Sequence, residues 1–181
     1  MDVQEDVTQP DEYRPATAEA DDHPAQQSGR SIMVQRRVEW SDTDASGHWH
    51  HGATLRWLEA AECLLLERLG VRHAIYHRLV RVHQEFDYHH VLQHMDVVDT
   101  HLQVERVSTT SITYRLRVTN QDRCCVSGRM VCVLLDPDTQ KPTPWPDELR
   151  HHLEAPAALP PETLSSNWPQ TGEPSNKRST N

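Results

Sequence analysis

Apolar residues fall on alternate positions at Ile32, Val34, Val38 and Trp40, with Arg36 the one polar interruption. A period of two predicts a strand. A polar loop follows, Ser41-Asp42-Thr43-Asp44-Ala45-Ser46-Gly47, and then His48-Trp49-His50-His51. From about Gly52 to Leu69 the period becomes helical. Leu55, Leu58, Leu65, Leu66 and Leu69 lie on one stripe, and Trp57, Ala61 and Leu64 widen it. Such a helix is wrapped on most sides, and Gly70 is its expected stop. Four strands are then predicted. Val80, Val82, Phe86 and Tyr88 mark the first, with Gln84 between them, and Val98, Leu102 and Val104 the second. Ile112, Tyr114, Leu116 and Val118 mark the third; the fourth, Cys124 to Leu135, is apolar on both faces towards its end, as a central strand is. Short links at Ser108–Ser111 and Asn120–Arg123 read as hairpin turns. Asp136-Pro137-Asp138 ends the sheet, and Pro146 to Leu153 adds a short helix. The expected domain is α+β, with one long helix against a five-stranded antiparallel sheet. One helix cannot cover both faces of such a sheet, so association through an exposed face or edge strand is expected.

The flanks differ in composition. Residues 1–30 are rich in Asp, Glu, Gln, Ala and Pro and read as a disordered acidic tail. Residues 154–181, interrupted by Pro156, Pro160, Pro161, Pro169 and Pro174, read as a disordered Pro-rich tail, with Trp168 its one residue suited to docking. Residues 31–153 form the predicted domain. The chain's net charge of −9 is concentrated in the first tail, where eight acids face only Arg14 and Arg30. The domain is nearly neutral and has no basic stripe, which argues against nucleic acid as a partner.

The N-terminus is acidic and lacks the apolar run of a leader, and no stretch is long and apolar enough to span a bilayer. Cys124 and Cys125 are strand neighbours pointing to opposite faces, and Cys63 and Cys132 lie in other elements, so no disulfide framework or C-x-x-C site is expected. A cytoplasmic location fits these features.

The densest chemistry lies between Asp42 and His51, where a polar loop enters a buried helix. Backbone N–H groups at a helix start lack intrahelical partners and favour negative charge, so they can hold a carbonyl oxygen as it becomes an oxyanion. A carboxylate on the preceding loop can attack that carbonyl or deprotonate a water that does. Asp44 is the candidate for this role, and its alternative is a turn former or helix cap. Asp42 reads as structural.

Arg37-Val38, then Thr43-Asp44-Ala45-Ser46-Gly47, His51, and Leu55-Arg56-Trp57-Leu58-Glu59 together resemble the hot-dog thioesterases of the 4-hydroxybenzoyl-CoA thioesterase and acyl-CoA thioester hydrolase type. The resemblance runs over the element order of residues 31 to about 135. It implies a hot-dog fold, hydrolysis of an acyl-CoA or acyl-carrier thioester, and a catalytic carboxylate at Asp44. A backbone N–H near His51 is implied to polarise the carbonyl. His48-Trp49 stands where the family usually carries a small aliphatic pair, which reshapes the acyl pocket.

Three catalytic positions are thus expected: Asp44; His51, which either assists the reaction or faces solvent; and Glu59, which is either a second acid or the partner of Arg56 or Arg115. Substrate contacts are expected at Gly47, His48, Trp49 and His50, at Trp57 beside the acyl chain, and at Ser111 for the pantetheine arm. Arg106, Arg115, Arg117, Arg123 and Arg129 are candidates for the coenzyme A phosphates. His48, His50 and His51 raise the question of a metal, but their spacing does not aim two rings at one ion. No metal or cofactor is expected. A homodimer or homotetramer acting on a thioester is the expected assembly. Two other readings stay open, an enoyl-thioester hydratase or dehydratase using Asp44 with His51, and a non-catalytic acyl-thioester binder.

Overall fold

The alternation at the start of the chain produces a strand, but a shorter one than its pattern predicts. In the computed structural model, which describes residues 29–164, β1 spans Ser31–Arg37 and stops before Trp40. The N–H of Val38 still donates to Asp96 O at 2.8 Å. The chain then leaves the sheet in a single 3-10 turn, Trp40–Asp42, and Trp40 is 73 % exposed. Asp42 causes the departure. Its Oδ2 accepts the N–H of Glu39 at 3.1 Å, which folds the backbone back on itself.

The long helix α1 spans Ala53–Arg68 and buries Trp57, Leu58, Ala61, Leu65 and Leu66. Leu55 stays partly in solvent. Gly70, at φ +70°, supplies the left-handed residue that ends helices without a Cβ penalty. After a short α2 (Arg72–Ile75) come β2 (Leu79–Tyr88), β3 (Val97–Val107), β4 (Ser111–Asn120) and β5 (Arg123–Leu134). The short α3 (Asp147–Glu154) follows.

The sheet order is β2-β5-β4-β3-β1-β6. It has six strands rather than the expected five. The sixth, β6 (Glu162–Leu164), lies parallel to β1 and comes from a stretch expected to be tail. Its approach is pinned where Ser31 N–H donates to Ala157 O and Leu159 N–H to Ser31 O. Prolines that break an interior strand are tolerated on the way into an edge strand. The expectations for residues 1–28 and 165–181, Trp168 included, lie outside the described residues.

One face of the sheet wraps α1, which is the hot-dog arrangement. Ile32 and Val34, Val98, Leu102 and Val104, Ile112, Tyr114, Leu116 and Val118, and Met130, Cys132 and Leu134 are all buried. The other face carries half-exposed polar residues such as Gln35, hydrogen-bonded to Asp99. Among the described residues β2 is a sheet edge, and its Val80, Val82 and Tyr88 are left partly in solvent. Among the described residues no helix is long and apolar enough to cross a membrane.

A charged residue breaks the apolar face of α1. Glu62 is fully buried, with Arg81 Nη2 at 2.7 Å from Oε2 and Cys132 Sγ at 3.9 Å from Oε1. Burial outweighs the attraction of Arg81 and holds the Glu62 carboxyl above its usual range. Burial and the Glu62 charge push the Cys132 thiol up to about 12.

Two outcomes follow for stability. The raised Glu62 carboxyl favours folding fully below the unfolded glutamate value of about 4.3, and that contribution is lost as pH rises through the folded value. Glu62→Gln is therefore expected to gain on the wild type in urea unfolding between pH 4 and pH 7; a constant or shrinking gap contradicts this. Asp42→Ala removes charge-assisted bonds at a buried carboxylate and is expected to cost about 2 kcal/mol, read from the denaturation midpoint.

Candidate active site at the start of the central helix

Asp44, Ala45, Ser46 and Gly47 form a tight turn whose residue types match its backbone. Gly47 N–H donates to Asp44 O at 3.0 Å, and Asp44 N–H donates to His48 O at 2.9 Å. Thr43 and Trp49 bridge on either side as an antiparallel pair. This is a three-residue hairpin loop in which the last position must be left-handed. Gly47, at φ +81°, fills it. Asp at the first turn position is favoured because its side chain caps the backbone two residues on. Ser46 N–H indeed donates to Asp44 Oδ1 at 2.8 Å, and the Ser46 hydroxyl donates to the same oxygen at 2.5 Å. Asp44 is thus a turn former, but with one oxygen only: among the described residues Oδ2 has no hydrogen-bond partner. The two Ser46 bonds, hydroxyl first, hold the exposed carboxyl below its usual range, with smaller help from His50 and His48.

Behind the turn lies an aromatic anchor. Trp49 stacks on Trp57 with ring centroids 5.4 Å apart, Tyr88 tilts against Trp49 at 5.7 Å, and the Arg36 guanidinium sits 5.4 Å from the Trp57 ring. Trp57 is 1 % exposed, so it packs the core rather than a binding surface. Trp49, also buried, fastens the turn to the helix.

Asp42 completes the scaffold. It is 2 % exposed, its Oδ1 accepts Arg56 Nη2 at 2.7 Å, and its backbone carbonyl accepts the N–H of His50 at 2.6 Å. His50 Nδ1 in turn accepts Gly52 N–H at 3.0 Å, which makes His50 a cap on the approach to α1. The rings of His50 and His51 lie 4.1 Å apart. His51 is exposed. Its carbonyl accepts Thr54 N–H at 3.2 Å, while its own N–H makes no hydrogen bond among the described residues. An unpartnered amide at a helix start is a ready acceptor of negative charge.

The remaining expected positions are dispersed. Glu59 is exposed about two turns into α1, and its partner is neither Arg56 nor Arg115 but Arg81, 3.4 Å away. Arg56 is taken by Asp42 and Arg115 by Glu105. Ser111 does not join Asp44 within one chain. It starts β4 and pairs with Val133, whereas Tyr88, whose hydroxyl reaches His51 O at 3.5 Å, pairs with Val126 and so lies level with Val118, across β5, near the other end of β4. The ten residues of β4 run about 33 Å.

Of the phosphate candidates, Arg115 and Arg129 both donate to Glu105 Oε1 at 2.9 Å, and Arg123 reaches His90 Nδ1 at 2.8 Å. Arg106 and Arg117 form no ion pair among the described residues. Sequence reasoning missed Glu62 and Ser46. The signal for Glu62 was present, since it falls on the helix stripe between Leu58 and Leu65-Leu66. For Ser46 there was none beyond its place in the turn.

These features agree with what the chain is similar to. A 1,4-dihydroxy-2-naphthoyl-CoA hydrolase of Synechococcus sp. (strain CC9605) is 29 % identical over 134 residues, covering 68 % of this chain and 90 % of its own. The structure of a predicted thioesterase from Bacillus stearothermophilus matches with a TM-score of 0.64 at 26 % identity, over 72 % of this chain and 98 % of that one. A 1,4-dihydroxy-2-naphthoyl-CoA thioesterase from Synechocystis shares the fold with a TM-score of 0.62 at 16 % identity, over 67 % of this chain and 94 % of its own. The profile of the thioesterase-like superfamily matches residues 38–153, which takes in the Asp44 turn, all of α1 and strands β2 to β5; the chain belongs to that superfamily.

Proposed function

We propose that the chain hydrolyses acyl-CoA thioesters and that Asp44 carries the chemistry. The supporting observation is the half-engaged carboxylate: Oδ1 is held by Ser46, Oδ2 has no partner among the described residues, and burial and pairing around Asp42 fix the turn against the start of α1. In this reading the thioester carbonyl oxygen receives the N–H of His51. Oδ2 either attacks the carbonyl carbon or takes a proton from the water that does. Negative charge builds on the carbonyl oxygen in the tetrahedral state, where an unpartnered amide counts most. Collapse breaks the C–S bond, and water supplies the oxygen of the acid and the proton of the thiol. The relatives named for naphthoyl-CoA chemistry support an acyl-CoA substrate. No step requires a metal or redox cofactor.

The working unit of this proposal is a homodimer, or a tetramer built from two, joined through the open edge of β2. Among the described residues that strand is paired on one side only and exposes Val80, Val82 and Tyr88. An open apolar edge in a monomer invites association. The domain extends past residue 153 to take in β6 at Glu162–Leu164, and the four free thiols suit a reducing cytoplasm.

Two measurements test this. In a thiol-release assay over aromatic and aliphatic acyl-CoAs, Asp44→Asn is expected to lose at least about 100-fold in kcat while staying folded. Unchanged turnover would remove Asp44 from the chemistry. By sedimentation velocity the wild type is expected to be at least dimeric and Val82→Lys monomeric; an unaltered assembly would place the interface elsewhere.

A further inference from the structure

We propose that Ser46 and His48 are positioning residues for Asp44, forming a chain in which the His48 ring orients the Ser46 hydroxyl and that hydroxyl selects which oxygen of Asp44 reacts. This deepens the thioesterase reading and rests on it.

The proton inventory fixes the direction of the chain. Ser46 Oγ lies 2.5 Å from Asp44 Oδ1 and 3.1 Å from His48 Nδ1. An ionised carboxylate can only accept, and a serine hydroxyl has one proton to give. The Ser46 proton therefore goes to Asp44, in a short charge-assisted bond. Ser46 Oγ accepts the backbone N–H of His48 at 3.4 Å, and the ring contact requires His48 to donate Nδ1–H to Ser46 Oγ as well. That sets the tautomer of neutral His48, with its Nε2 lone pair free. The backbone holds the ring in place, because His48 O accepts Asp44 N–H at 2.9 Å and His48 bridges to Gln93.

The hydroxyl is not needed to make the turn. Ser46 N–H already satisfies the cap on Asp44 Oδ1 at 2.8 Å, and Gly47 N–H closes the turn onto Asp44 O. What the hydroxyl adds is a second bond to the same oxygen, beside the long bond it accepts from His48 N–H. With Oδ1 doubly bonded, rotation of the carboxyl group is restrained and Oδ2 is presented to the substrate side. The same bonds lower the carboxyl's proton affinity. The titratable groups acting on Asp44 are His50 and His48, while the nearby Asp42 and Arg56 neutralise each other.

Because alanine keeps the backbone N–H, Ser46→Ala separates the chain from the fold. It is expected to lower kcat about tenfold with KM within about twofold, as a misaligned reactive group does. In the same variant the Asp44 carboxyl carbon, followed by NMR titration, is expected to move its midpoint up towards the ordinary aspartate value of about 3.9. His48→Ala is expected to lower kcat in the same sense. His48→Asn, which keeps a donor at the reach of Nδ1, is expected to recover most of that loss. Melting temperatures of all three should stay near the wild type.

An unchanged or raised kcat in Ser46→Ala, or His48→Asn no better than His48→Ala, overturns the proposal. Asp44→Asn, run beside them, distinguishes the two failures. If it is inactive while Ser46→Ala is normal, only the positioning chain is wrong. If it is active, the assignment of Asp44 itself is wrong.

Discussion

The site depends on where one buried negative charge is placed. Asp42 is almost fully removed from water, and a carboxylate in that position has to be paired and hydrogen-bonded to be tolerated. Its partners are the N–H of Glu39 before it and the guanidinium of Arg56 from the first turns of α1. Satisfying both ends β1, lifts Trp40 into solvent and brings the loop back over the helix start. The Asp44 turn is then fastened a second time by Trp49, stacked on Trp57 from the same helix. A flexible acidic loop becomes a rigid platform, and an exposed carboxylate acquires a fixed orientation without being buried itself. That division suits catalysis, in which the reacting group needs access and its support needs precision.

Much of the fold was legible in the sequence because period and burial agree along most of it. Strand β4 buries Ile112, Tyr114, Leu116 and Val118 as their alternation predicts, and α1 runs over nearly the residues its stripe predicts. The misreadings share one cause, which is that apolar character reports what a residue can do rather than what surrounds it. Trp40 continues the alternation of β1 but is carried out of the sheet by the demands of Asp42. Val80 and Val82 alternate like core residues yet belong to β2, an edge with no outer neighbour among the described residues. Pro156, Pro160 and Pro161 look like disorder but lead into a short edge strand.

The site was legible only in outline. Asp44 and Gly47 stand out because a three-residue hairpin loop asks for those types at those places. Trp57 suggested a binding surface, yet a large aromatic ring on a central helix finds the core first. Ser111 could not be placed without the strand directions, which put it at the far end of β4. Glu59 drew attention through the motif around it, whereas Glu62, one turn on, is the acid that is buried and shares Arg81 with it. The Ser46–His48 contact depends on how three side chains turn within one loop, and no periodicity encodes that.

The most direct test of the account is the fate of the acyl group. Acyl-CoA incubated with the wild-type protein in ¹⁸O-labelled water over many turnovers should release free thiol and carboxylic acid in equal amounts, the acid carrying the label. Hydration of an enoyl-CoA without thiol release, or binding of acyl-CoA with no acid formed from any aromatic or aliphatic member tested, would contradict it.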